Sequence, residues 1–408
     1  MSIDNKYSLM EILSNLNCIL LLIGFPLFTM LAYDSSVSVS SNLPSIAFRA
    51  FHLLLALYLI INSKGMEYIK SGLPIFFLFF LIFCRIIYDG YIRIDCIDMP
   101  RNVVSLLLLE TVGFTFVPVF ALARSFVYID LTKVTKITYY GLVLIMVIFF
   151  YRYMTGNINV ENGRVDLSAA QSTLALAKFG GWLALFSYYF ILDKKQNKFI
   201  CIITLLLGLY CSCIAGSRGA VFGNVIAFIF LFSVRKRMIS LLMFFIFLSV
   251  LLFLFSDDIL HFLSQIFPTL FKRILLTLNK GDTSGRLEIF RYCFEQFENN
   301  PLLGDWILKG AHNSVNLTAH NLTLEILSSL GLMGVLFLVY LYLCLFRAVY
   351  YISNISENII WCALFICMFF MSFTGGSLRN PDYSTIYIMV LLIYGKTINE
   401  YRNGSSAA

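Results

Sequence analysis

Charge is scarce in this chain. Asp, Glu, Lys and Arg make up 13% of its 408 residues, and apolar side chains 59%, where a water-soluble domain carries roughly 25% charged residues. Mean hydropathy is +0.83. That deficit excludes an ordinary soluble globule, because too little polar surface exists to face water all round. A leader-type cleavage site is also missing. The first apolar run, Ile12 to Ala32, is about the length of a full membrane span. No small-residue site follows it, so it reads as a first transmembrane helix and not as a signal peptide. No Cys-x-x-Cys pair occurs among the 10 cysteines. Buried thiols acting as small hydrophobes are the default reading; a Cys96–Cys293 disulfide across outer loops is the alternative that an oxidising compartment permits. Related halves are missing too, which counts against a transporter built from repeats.

What the chain has is apolar runs. About twelve are long enough to span: near 12–32, 46–61, 73–88, 103–123, 139–153, 168–192, 199–215, 219–234, 238–255, 326–346, 359–373 and 383–395. The expected fold is therefore an all-α polytopic membrane protein. Its expected organisation is residues 1–255 as helices one to nine, 256–325 as one large outer loop, and 326–408 as helices ten to twelve with a short tail. Loop charges set the orientation. With the N-terminus in the cytoplasm, inner loops carry Lys64 and Lys70, Lys133 and Lys136, Lys194, Lys195 and Lys198, then Arg235, Lys236, Arg237 and Arg347. That is the positive-inside pattern. It also places both termini inside. The net charge of +7 is spread over these short loops, so it reports topology and gives no reason to expect nucleic acid.

Lysine is missing where arginine is present. The short outer loops and span ends hold Arg49, Arg85, Arg93, Arg101, Arg152, Arg164, Arg218 and Arg379. Arginine's planar fork suits bidentate contact with phosphate. As a set they suggest an outer surface that handles a phosphorylated ligand, although any single one can pair with a carboxylate or a lipid headgroup. Lys178, inside a span, is a functional candidate by its burial.

Three outer segments carry chemistry. In Ala215-Gly-Ser-Arg-Gly219 a tight turn opens a helix, and Arg218 sits at the N-terminus where the dipole favours an anion. A phosphate bound in that turn, with Ser217 and Gly219, resolves the conflict. In 282–304, Asp282-Thr-Ser284 offers caps, and Ile289, Phe290, Cys293, Phe294 and Phe297 form an apolar stripe. This is an amphipathic helix lying on the membrane or on the bundle top. Arg286 again falls in a first turn against the dipole, and Arg291 lies on the polar face. In 318-TAHNLTLEILSSLGLMG-334, His320, Leu324, Leu327, Gly331 and Gly334 share one helical face. The glycines would admit a neighbouring helix. A helix N-terminus keeps His320 neutral and able to take a proton. His312, in an earlier His-Asn pair, competes for the role. No metal cluster or cofactor is expected: Asp257-Asp258 and Asp95-x-x-Asp98 read as solvated loop residues.

Ser217-Arg218-Gly219, Ser284-Gly285-Arg286, Asn300-Pro301-Leu302-Leu303-Gly304, and His320-Asn321 through Glu325, Gly331 and Gly334 together resemble the bacterial O-antigen polymerase and O-antigen ligase superfamily. The resemblance spans about 205–345. It departs at Phe290, where tryptophan is common, and at Asp305-Trp306 after the Asn-Pro motif. It implies a GT-C-like glycosyltransferase of the inner membrane with a large periplasmic loop and a periplasmic active site. The implied substrate is an undecaprenyl-pyrophosphate-linked oligosaccharide; the implied partners are membrane lipids, a chain-length regulator and a flippase. Arg218, Arg286 and His320 become the catalytic residues, with Ser217, Gly219, Ser284, Arg291, His312, Asn321 and Glu325 around the substrate. The motif strings are closer to the polymerases than to the ligases.

Overall fold

The structure is a computed structural model that describes residues 3–32, 43–92, 101–158, 160–161, 164–167, 172–193, 196–234, 265, 286–305, 321–355 and 358–405. The expected ninth span, 238–255, lies outside them. So do Arg93, Cys96, Ser284, His312 and His320.

The described chain is a helical bundle. In order it runs α1 (Ile3–Ile19), a π-helical turn (Leu20–Gly24), α2 (Phe25–Ala32), α3 (Leu43–Asn62), α4 (Glu67–Ile87), a second π turn (Tyr88–Ile92), α5 (Arg101–Leu108), a third π segment (Leu109–Phe116), α6 (Val117–Ser125) and α7 (Leu131–Met154). A two-residue hairpin, Val160–Glu161 with Arg164–Val165, follows. Then come α8 (Thr173–Asp193), α9 (Lys198–Ile214), α10 (Arg218–Val234), α11 (Arg286–Asn299), α12 (Leu322–Ile355), α13 (Ile359–Gly375) and α14 (Pro381–Ser405). Among the described residues, seven helices are long and apolar enough to cross a membrane, and α9, α10 and α13 are shorter apolar ones. The protein is an all-α polytopic membrane protein.

Side-chain chemistry sorts the helices into centre and rim. α8 is buried over 78% of its most apolar window and α3 over only 22%; α8 is therefore a central post and α3 faces lipid. α8 and α9 meet at glycine: a Cβ on Gly180 would come within 2.8 Å of the Gly208 carbonyl, and one on Gly208 within 2.6 Å of the Gly180 carbonyl. Without a hydrophobic drive between helices in lipid, such close packing and buried hydrogen bonds supply the cohesion. Tyr139 and Ser187 both bond the Thr204 hydroxyl at 2.9 Å, tying α7, α8 and α9. Asn224 on α10 donates to Ala177 O and Ser212 Oγ, and the Cys367 thiol donates to its Oδ1. Asp130 caps α7 through the amides of Thr132 and Lys133, and Asn197 caps α9 through Phe199. Each cap satisfies amides that a helix start leaves open.

Candidate active site

One end of the bundle gathers the features that the sequence places outside. There α12 begins, α13 ends and α14 begins. Asn321 caps α12, its Oδ1 accepting the Leu324 amide at 3.1 Å while its Nδ2 donates to Phe373 O at 3.2 Å on α13. One turn on, Glu325 receives Arg379 Nη2 at 2.5 Å. Arg379 belongs to the turn 376–380 between α13 and α14, and its carbonyl accepts from Thr115. The cavity these elements border holds about 650 Å³. On its wall too, Lys178 of α8 pairs with Asp382 in the first turn of α14, and Arg49 of α3 pairs with Glu110 at 3.3 Å. Three cations thus face three carboxylates. The rest of the lining is largely apolar, including Leu20, Phe25, Phe48, Phe114, Leu174 and Phe179. An amphipathic chamber of this kind suits a molecule with a charged head and a greasy tail.

The π segments matter to this chamber. Leu20–Gly24 and Leu109–Phe116 both contribute lining residues. A π bulge turns side chains out of helical register and recurs at functional sites. Pro118, just after the second segment, accepts Asn17 Nδ2 at 3.2 Å, and Asn17 Oδ1 meets His52 Nε2 at 3.0 Å. His52, a buried histidine on the cavity wall, is therefore already engaged.

A second construction sits beside the cavity and corrects an expectation. The face from Leu324 to Gly334 is not one continuous helical stripe, because α12 breaks at Gly331, with φ 60° and ψ −153°. That region is open essentially to glycine alone. What approaches the glycine is a loop and not a helix. Gly304, at φ +71°, lies against it, and a Cβ on Gly331 would fall 2.5 Å from the Gly304 nitrogen. The break exposes backbone groups, and the Asn-Pro-Leu-Leu-Gly segment satisfies them. Leu332 N–H donates to Pro301 O at 2.8 Å, Met333 N–H to Leu302 O at 3.3 Å, and Asp305 N–H to Ser328 O at 2.7 Å.

Arg85 locks this joint. Its Nη1 donates to the carbonyls of Leu303 and Gly304, both at 3.1 Å, and its Nε to Asp89 at 2.8 Å, with Asp305 at 4.0 Å. The side chain is 8% exposed. Arg85 thus leaves the group of outer arginines free for phosphate; backbone carbonyls already occupy its fork. On the far side, α11 packs Ile289, Phe290 and Cys293 against Leu324 and Leu327. The buried face continues through Gln296, so Phe294, expected in the stripe, points outward at 48% exposure. Burial pushes the Cys293 thiol and the Tyr292 hydroxyl above their ordinary pKa ranges, and both stay neutral there.

Comparison with known families bears on this end of the bundle. The family model described as O-antigen ligase matches residues 202–339. That stretch is similar to the O-antigen polymerase and ligase superfamily. No curated protein matches the chain.

The matched stretch runs from α9 through the joint to the middle of α12. It holds Ser217, Arg218, Gly219, Ser284, Arg286, Arg291, His312, His320, Asn321 and Glu325. Of these, Glu325 lines the cavity. Asn321 is the cap beside it. Ser217-Arg218-Gly219 opens α10, and Gly219 sits so tightly on Thr374 that a Cβ would overlap that side chain; Gly375 and Gly376 next to it are cavity wall. Arg286 opens α11. Arg291 points away, 83% exposed and paired with Glu295 at 3.0 Å. Glu110, Asp382 and His52 are the cavity residues that the sequence does not single out. Asp382 follows a proline at the start of a helix and looks like any first-turn acid.

Proposed function

We propose that the chain is an O-antigen polymerase, joining undecaprenyl-pyrophosphate-linked oligosaccharides on the periplasmic face of the inner membrane. The observation that carries the reading is the match over 202–339, whose Glu325 lines an amphipathic, ion-lined cavity. The chemistry is glycosyl transfer. An acceptor hydroxyl attacks the anomeric carbon, the sugar–phosphate C–O bond breaks, and the pyrophosphate leaves with the electron pair. His320 takes the hydroxyl proton, or His312 in its place. Arg218 and Arg286 stabilise the charge that grows on the leaving group. Single displacement inverts the anomeric centre, and fixed cations do the work a metal ion would otherwise do. Ser217, Gly219, Ser284, Asn321, Glu325 and Arg291 complete the substrate's surroundings.

The second reading is ligase, transferring finished polymer to lipid A-core, and the family model's own description favours it. One experiment separates the two. The gene is deleted and restored as wild type, Arg218→Ala, Arg286→Ala or His320→Ala, and lipopolysaccharide is run on a gel. Loss of a polymerase leaves core bearing a single repeat; loss of a ligase leaves bare core with lipid-linked polymer accumulating. Normal ladders from all three variants overturn the site, and a normal ladder from the deletion overturns the function.

A further inference from the structure

We infer that Arg49 forms a second anion subsite in the cavity, which seats the phosphate-bearing head of the acceptor lipid. The inference rests on the two-substrate reading above. The residues assigned to the donor's pyrophosphate, Arg218 and Arg286, lie in the matched stretch. Arg49 lies far outside it, on α3, and lines the cavity that Glu325 of the matched stretch also lines.

The three cavity cations are not equivalent. Lys178 and Arg379 have side chains 12% and 16% exposed, each closed on a carboxylate that is 10% and 12% exposed. Arg49 is 31% exposed and its partner Glu110 45%. Their contact is a single one, Nη1 to Oε1 at 3.3 Å, so the rest of the fork is free to meet a bidentate oxyanion. The guanidinium is also held flat. The rings of Phe25 and Phe114 lie 5.4 Å from it on centroid distances, so little side-chain freedom is lost when a ligand binds. Phe25 directly follows one π segment and Phe114 lies within another, so two irregular helices converge on one side chain. Beside it the wall is Leu20, Phe48 and Leu53. Charge at one point and apolar surface next to it select an amphiphile over a free ion.

The test is calorimetric titration of the full chain in detergent with farnesyl pyrophosphate, with inorganic pyrophosphate and farnesol as controls. Wild type is expected to bind two farnesyl pyrophosphates. Arg49→Gln should weaken one site by at least about tenfold, the scale of a lost charge-assisted bidentate pair, and leave the other intact. Glu110→Gln removes the competing carboxylate and should tighten that same site, which keeps the test decisive if Arg49→Gln folds poorly. Arg218→Ala should weaken only the other site. Two unchanged sites in both Arg49→Gln and Glu110→Gln, or a single site in wild type, overturn the subsite. Inorganic pyrophosphate binding at Arg49 as tightly as the prenyl ester overturns the lipid assignment. Failure of the polymerase reading appears instead in the gel ladders and leaves these titrations untouched.

Discussion

Arg85 and Arg49 start alike, as arginines near outer helix ends, and finish as opposites. Arg85 is buried, with its Nη1 on two backbone carbonyls and its Nε on a carboxylate. Arg49 stands between two rings, open to a cavity, with one carboxylate on one nitrogen. The difference is in the acceptors. A carbonyl offered by a docked loop cannot leave without undoing the fold, and a side-chain carboxylate can swing away when a better anion arrives. Burial of charge alone therefore does not mark a binding site; the exchangeability of its partner does.

The comparison can be broken at several points. The largest effect is expected from Gly331→Ala, which puts a methyl 2.5 Å from the Gly304 nitrogen in a backbone region only glycine holds. No monodisperse protein should survive detergent extraction and size exclusion; a wild-type elution profile would show that the joint does not need its glycine. Arg85→Met comes next. It leaves Asp89 buried without its guanidinium and should cost about 3–5 kcal/mol, measured as a fall in the thermal midpoint. Arg85→Lys should recover only part of that, since a lysine lacks the fork. Glu325→Gln acts in the cavity. Losing a charge-assisted bond to Arg379 should cost about 1.5–3 kcal/mol, and the gel ladder should disappear. The smallest effect belongs to Arg291→Ala. That pair is 83% and 52% exposed, and its loss should move the midpoint by less than about 1 kcal/mol's worth. A larger fall would mean that α11 leans on its polar face.

The sequence made the bundle legible because lipid imposes a simple rule: long apolar runs span, and loop lysines stay inside. The start of α12 was off by four residues for a definite reason. Asn321 caps the helix and Glu325 takes the Arg379 pair, and hydropathy alone cannot see either. Asn300-Pro301-Leu302-Leu303-Gly304 and Gly331 were both visible as motifs, and nothing local says that they touch. Their contact is between backbones, so no pattern of side chains announces it. Glu110, Asp382 and His52 share that limit, being ordinary ionisable residues until three separate elements bring them to one chamber; Lys178 stood out only because it lies inside a span. Arg85 was grouped with the ligand-seeking arginines because its acceptors are carbonyls of a segment about two hundred residues away, an approximate distance along the chain.

The break at Gly331 also divides the length of α12. A straight α12 of 34 residues would measure about 51 Å, far beyond the roughly 30 Å of hydrocarbon. The part after the break, from Leu332 to Ile355, measures about 36 Å and is enough to cross. The nine residues before it form a separate short rod that a crossing does not need. Glu325 can therefore carry its charge, paired with Arg379, on a stretch of α12 that is spare to the span.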